Sequence, residues 1–193
     1  MPSKVTLTAA TKYAEFTEES NALDYLEKTL DFIKTAVGNP VEWKWVVLAI
    51  HGALYGFMIC TLKGTDPDNV CVTTKAGHVK LIDFRAARKR CQQPEFTSVS
   101  GFTNVLRLTH NEDLALDMIH NDFRNQFLHY RPTLWSIEVT GMPFVIDLGL
   151  DVLRKVALDM GGYYAHYDRE KVAKLIGRGK HLLQKNFDLS KQG

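Results

Sequence analysis

The sequence predicts a mainly helical, single-domain protein, and three observations carry that prediction. Several stretches repeat apolar residues at a spacing of three and four, as an amphipathic helix requires. The strongest turn and breaker signals, Gly38-Asn39-Pro40, the segment 64–69, Pro132 and Gly161-Gly162, fall between those stretches rather than inside them. A length of 193 residues with 45% hydrophobic and 24% charged residues belongs to one ordinary globular domain. The reading is therefore one all-α domain over 1–193, a bundle of about five substantial helices, with a β-flavoured or irregular insertion at about 63–102.

The first helix is expected from about Asn21 to Val37. Leu23, Leu26, Leu30, Ile33 and Val37 form its apolar stripe, Ser20 or Asn21 caps it, and Gly38-Asn39-Pro40 ends it. A second helix, about Val41 to Leu62, is apolar nearly all round, the mark of a central helix. Gly52 and Gly56 each cost it roughly 1 kcal/mol of helix propensity, which close approach of a neighbouring helix would offset. Its apolar run from Val46 to Leu62 is interrupted by His51 and both glycines and is shorter than the ~20 residues that span a bilayer.

Between Lys63 and Phe102 the periodicity breaks. Val70 to Thr74 reads as a short strand, and His78 to Ile82 as its hairpin partner. A short helix from Asp83 to Gln92 carries Arg85, Arg88, Lys89 and Arg90, either a solvated face or a contact for a nucleic-acid backbone. Pro94 to Phe102 reads as a loop, the expected mobile segment. Thr109 and Glu112 form a capping box that opens a helix ending near Tyr130, with Leu114, Met118, Ile119 and Phe123 as its apolar stripe. Trp135 to Val139 reads as a short extended piece. Helices follow from Pro143 to Met160 and from Asp168 to Asn186, the last loosened by Gly177 and Gly179.

Composition excludes several function classes. A net charge of +2 gives no global attraction for nucleic acid, so an RNA contact needs a local patch. Cys60, Cys71 and Cys91 are odd in number and lack C-x-x-C spacing, as expected of reduced thiols in a cytoplasmic chain. The start, Met1-Pro2-Ser3-Lys4, has no apolar signal-peptide core, so no membrane association is expected. His110, His120, His166 and His181 show no metal-ligand spacing, and no cofactor or metal is expected. His51, inside the most apolar helix, reads as a hydrogen-bonded core histidine.

The chemistry-bearing stretch is 121–132. Asn125 and His129 are four residues apart and would share a helix face about 40° apart. Arg124 stands beside Asn125, with a planar guanidinium suited to a pair of phosphate oxygens. Histidine gives or takes protons near neutrality. Arginine, asparagine and histidine together could clamp and cleave a phosphodiester without a metal. An arginine and a histidine near a helix C-terminus equally serve its dipole and last carbonyls. Tyr130 and Arg131 either contact RNA, by stacking and by phosphate pairing, or simply end the helix.

Arg124-Asn125-x-x-x-His129 resembles the R-x4-6-H signature of the HEPN superfamily, and Trp135-Ser-Ile-Glu138 resembles a string found downstream in a bacterial branch of it. The resemblance is tight over 110–140. It implies a compact helical domain that forms a homodimer, two motifs meeting to make one metal-independent endoribonuclease site. Arg124, Asn125 and His129 would be the catalytic residues, Tyr130 and Arg131 would bind substrate, and the partners would be RNA and an antitoxin or other regulatory protein. Such proteins include toxins and phage-defence effectors. The rival implication is a non-catalytic HEPN-like module that binds a partner protein or RNA. Burial separates the two: in the second reading Arg124 and His129 are satisfied inside the core.

Overall fold

The computed structural model describes residues 13–98, 104–129, 134, 136–160, 166–187 and 189. The architecture is all-α with a two-stranded insertion. Helix α1 runs Glu18–Ala36, starting about three residues ahead of the expected Asn21, because the cap is Thr17. Ser20 is the reciprocal partner in that capping box and not the cap itself. A 3₁₀ turn at Pro40–Glu42, capped by Asn39, leads into α2, Trp43–Lys63.

Helix α2 is the centre of the fold. Val46, Val47, Ile50, Ala53, Leu54, Phe57 and Met58 are all fully buried. The two glycines do what their cost requires. A Cβ on Gly52 would lie 2.7 Å from the Tyr25 ring, and one on Gly56 would lie 2.7 Å from Cβ of Ala22, so both let α1 approach closely. The glycines therefore do not interrupt the run. With its 3₁₀ lead-in the helix spans Pro40–Lys63, 24 residues of mean hydropathy 1.8, which is long and apolar enough to cross a membrane, against the sequence estimate. Inside this fold most of its apolar core is buried.

The insertion forms the expected hairpin. Strands β1 (Cys71–Thr73) and β2 (Val79–Leu81) pair antiparallel, with Val72 opposite Lys80, after a 3₁₀ turn at Pro67–Val70. Helix α3, Phe84–Cys91, is capped by Asp83. Pro94–Thr97 is a helical turn, α4, and not the loop expected there, because proline at the first position favours a helix start. Residues 99–103 lie outside the described residues.

The basic run on α3 is divided: Arg85 and Lys89 are exposed, as on a solvated face, while Arg88 and Arg90 are half-buried. Arg88 pairs with Asp113 and, at 2.8 Å, with Asp117; Arg85 bonds Asn121, and Arg90 donates to the Asn69 carbonyl at 2.6 Å. The Arg85 and Arg88 contacts clamp the insertion onto the next helical segment, and the Arg90 contact braces the insertion internally. That segment begins as α5, His110–Asp117, with the Thr109–Glu112 capping box in place. Of the expected stripe Ile119 is buried and Met118 and Phe123 pack against the core, but Leu114 is exposed, and Ala115, Leu116 and Glu112 are buried in its place. Glu112 is held there by Lys155 at 2.6 Å.

From Met118 to Arg124 the helix widens into a π turn before a last α turn, α6, Asn125–Leu128. Residues 136–139 form neither helix nor strand, and Trp135 lies outside the described residues. Helix α7, Met142–Arg154, continues into a second π turn, Lys155–Asp159, and α8 runs Arg169–Asn186 from an Asp168 cap. Gly149 lets α7 meet Ile119 and Ile50, and Gly179 lets α8 meet Leu150 and Leu30. The three cysteines are free thiols; burial pushes Cys60 up to about 12 and raises Cys91 further, so neither ionises at neutral pH.

Candidate active-site cleft

A cleft of about 830 Å³ runs along α2 between α1, the hairpin and the π turn. Its apolar wall includes Phe32, Trp45 and Phe84, and its polar end is made by His51, Asp83, His120 and Arg124. The π turn explains that end. The i→i+5 bonding of a π segment accommodates an extra residue in the turn, and such bulges are rare and concentrate at functional sites. Here it carries His120 and Arg124 together to the cleft.

Arg124 is half-buried and its Nη1 donates to Oδ1 of Asn125 at 2.9 Å. Among the described residues no carboxylate pairs with it, whereas Arg88 on α3 holds two. The Asn125 amide thus fixes the guanidinium without neutralising it. The structure brings Arg124 and Asn125 together as the sequence expects, and it does not bring His129 to them in the expected way. His129 closes α6 with φ −127° and ψ 42°, outside helical geometry. Its backbone N–H still bonds the Asn125 carbonyl at 2.8 Å, but its side chain is exposed and is not among the residues that line the cleft. The shared helix face expected for Asn125 and His129 is lost where the helix ends. Tyr130 and Arg131 lie outside the described residues. Beside the motif, Phe127 packs against the core, while Leu128 is exposed at the cleft.

The histidines that do meet in the cleft are His51 and His120. Nε2 of His51 lies 2.9 Å from Nδ1 of His120, and both rings stack on buried Phe84 at 4.6 and 4.7 Å between centroids. Burial, then the neighbouring His120 and the Arg124 charge, push His51 down to about 3. His120 is likewise lowered, first by burial and then by Arg124 and Arg85, against the opposing pull of Asp83 and Asp117. Both imidazoles are therefore neutral at pH 7. His51 is hydrogen-bonded on the most apolar helix, as expected, and its partner is His120, with both rings lining the cleft. Sequence spacing misses the pair because 69 positions separate them. The only available signal was a histidine on the most apolar helix and another one helical turn before Arg124.

Tyr55, another polar side chain that lines the cleft, is committed: its hydroxyl donates to the Ile82 carbonyl in a short contact that ties α2 to the base of the hairpin. Among the described residues no group of three or more His, Cys, Asp or Glu is disposed to hold a metal ion. The chemistry on offer is a fixed cation beside neutral imidazoles at the end of an apolar trough. Comparison of the chain with protein-family models, with curated proteins and with solved structures finds no match.

Proposed function

We propose that the protein is a metal-independent endoribonuclease of the HEPN type, with Arg124 holding the scissile phosphate in the cleft. One observation carries this reading: Arg124 opens on the cleft, oriented by Asn125 and without a carboxylate partner among the described residues. An oriented, unneutralised guanidinium is what a phosphate diester requires for bidentate binding and for charge stabilisation as the pentacoordinate state forms. The aromatic wall offers faces on which a base stacks. His129, exposed beside the motif, reaches such a cleft most simply from a second copy, which agrees with a two-fold dimer pairing the motifs.

The test is cleavage of a labelled random-sequence RNA in EDTA, by the parent protein and by Arg124→Ala. Cleavage by the parent and its loss in the variant support the reading; cleavage by neither removes it. A second reading, a module that binds a partner without catalysis, draws on the apolar character of the cleft wall. It predicts binding to that partner with no turnover and no metal effect.

A further inference from the structure

We propose that His120, held by His51, is the general base of this cleft, taking the 2′-hydroxyl proton of the ribonucleotide whose phosphate sits on Arg124. This rests on the ribonuclease reading above. The geometry is specific. His120 and Arg124 are one turn apart in the same π segment and both line the cleft. Nδ1 of His120 is engaged by His51, and no bond from another described residue is made to Nε2, which leaves Nε2 as the nitrogen that meets a substrate.

The contact between the two rings needs one proton between Nε2 of His51 and Nδ1 of His120. When that proton is on His120, its Nε2 carries a bare lone pair and the ring is a base. The partner ring is then an acceptor, set in place by its helix and by the Phe84 stack. In the reaction the 2′-hydroxyl proton moves to Nε2 of His120 while the 2′-oxygen bonds phosphorus. The bond from phosphorus to the 5′-oxygen breaks, and that oxygen takes a proton from His129 of a second copy. The products are a 2′,3′-cyclic phosphate and a 5′-hydroxyl. The charge gained by His120 stays on it, because its Nδ1–H still donates to neutral His51, whose burial opposes a cation. His51 is thus a positioning residue and His120 the catalytic one. The charged groups that face the pair are Arg124 and Arg85 on one side and Asp83 and Asp117 on the other.

The experiment uses two substrates: the random-sequence RNA, and a ribonucleotide 3′-phosphodiester with a 4-nitrophenyl leaving group, which departs without an acid. His120→Ala and His120→Gln, each shown by circular dichroism to fold as the parent does, should lose about 10²–10⁴-fold on both substrates. His129→Ala should fail on RNA and recover on the activated diester. His51→Ala should shift the acid limb of the pH–rate profile to lower pH, since the imidazolium loses its acceptor, and His51→Gln should shift it less. A purely structural His51 would leave that limb where it is. Parent-level cleavage by both His120 variants overturns the assignment and leaves the ribonuclease reading standing. Recovery of the His120 variants on the activated diester makes His120 the acid and also overturns it. A parent that cleaves neither substrate removes the ribonuclease reading itself.

Discussion

His51 and His120 meet at 2.9 Å between ring nitrogens, tying the central helix to the π turn that carries Arg124. This contact has a consequence for stability as well as for chemistry. The folded-state pKa of His51, about 3, lies below its unfolded value of 6.5. The unfolded chain therefore binds more protons between those limits, and stability falls as pH drops through that window. Between pH 7 and pH 5 the loss attributable to this half-buried ring should be about 2 kcal/mol. Urea unfolding at the two pH values measures it. His51→Gln, which cannot titrate, should show a correspondingly flatter dependence; an equal dependence in parent and variant would mean that His51 is not held neutral.

The packing of α1 on α2 predicts opposite outcomes for two glycines. Gly56→Ala places a methyl 2.7 Å from the Ala22 Cβ and 3.1 Å from its Cα, so the helices must separate, at a cost of about 1–3 kcal/mol. Gly177→Ala, in α8 with nothing within 4 Å, should stabilise by about 0.5–1 kcal/mol through helix propensity. Thermal melts of the two variants should move in opposite directions.

These glycines also show what sequence reasoning reaches. The cost of Gly52 and Gly56 inside an apolar helix implied a close neighbour, and the neighbour is α1. Helical periodicity, the Thr109–Glu112 box and the hairpin between Cys71 and Leu81 were legible for the same reason: each is a local signal. What was not legible is set by pairings distant in sequence. The contacts of Arg85 and Arg88 were not legible because their partners, Asp113, Asp117 and Asn121, lie a full helix later. The spacing of Leu114 with Met118 does not reveal that Leu114 stands exposed on α5, nor does the spacing of Asn125 and His129 reveal that the helix ends at Leu128. The site was half legible: Arg124 and Asn125 stood out as a motif, and the His51–His120 pair did not.

Asn125 is argued to orient Arg124, which separates it from residues that touch the phosphate. Asn125→Ala should weaken RNA cleavage while leaving some activity, whereas Arg124→Lys should fail almost as fully as Arg124→Ala, since a point charge does not replace the planar fork. All three should melt close to the parent, because neither side chain is buried in the core. Early melting of all three would instead favour the binding-module reading.

Assembly is tested by complementation. If a working site takes Arg124 from one copy and His129 from another, mixing Arg124→Ala with His129→Ala allows mixed dimers with one intact site each. Re-equilibrated equal mixtures should recover about a quarter of parent activity. No recovery, with both parents sedimenting as monomers at micromolar concentration, would place every required group in one chain.

The most direct measurement of the central claim replaces the nucleophile in the substrate. An RNA of defined sequence that the protein cleaves is compared, in EDTA, with the same sequence carrying a single 2′-deoxy nucleotide at the scissile position, and product ends are read by mass spectrometry. The account predicts 2′,3′-cyclic phosphate ends from the RNA and no cleavage at the deoxy position. Cleavage at the deoxy position, or activity that vanishes in EDTA and returns with magnesium, would contradict it.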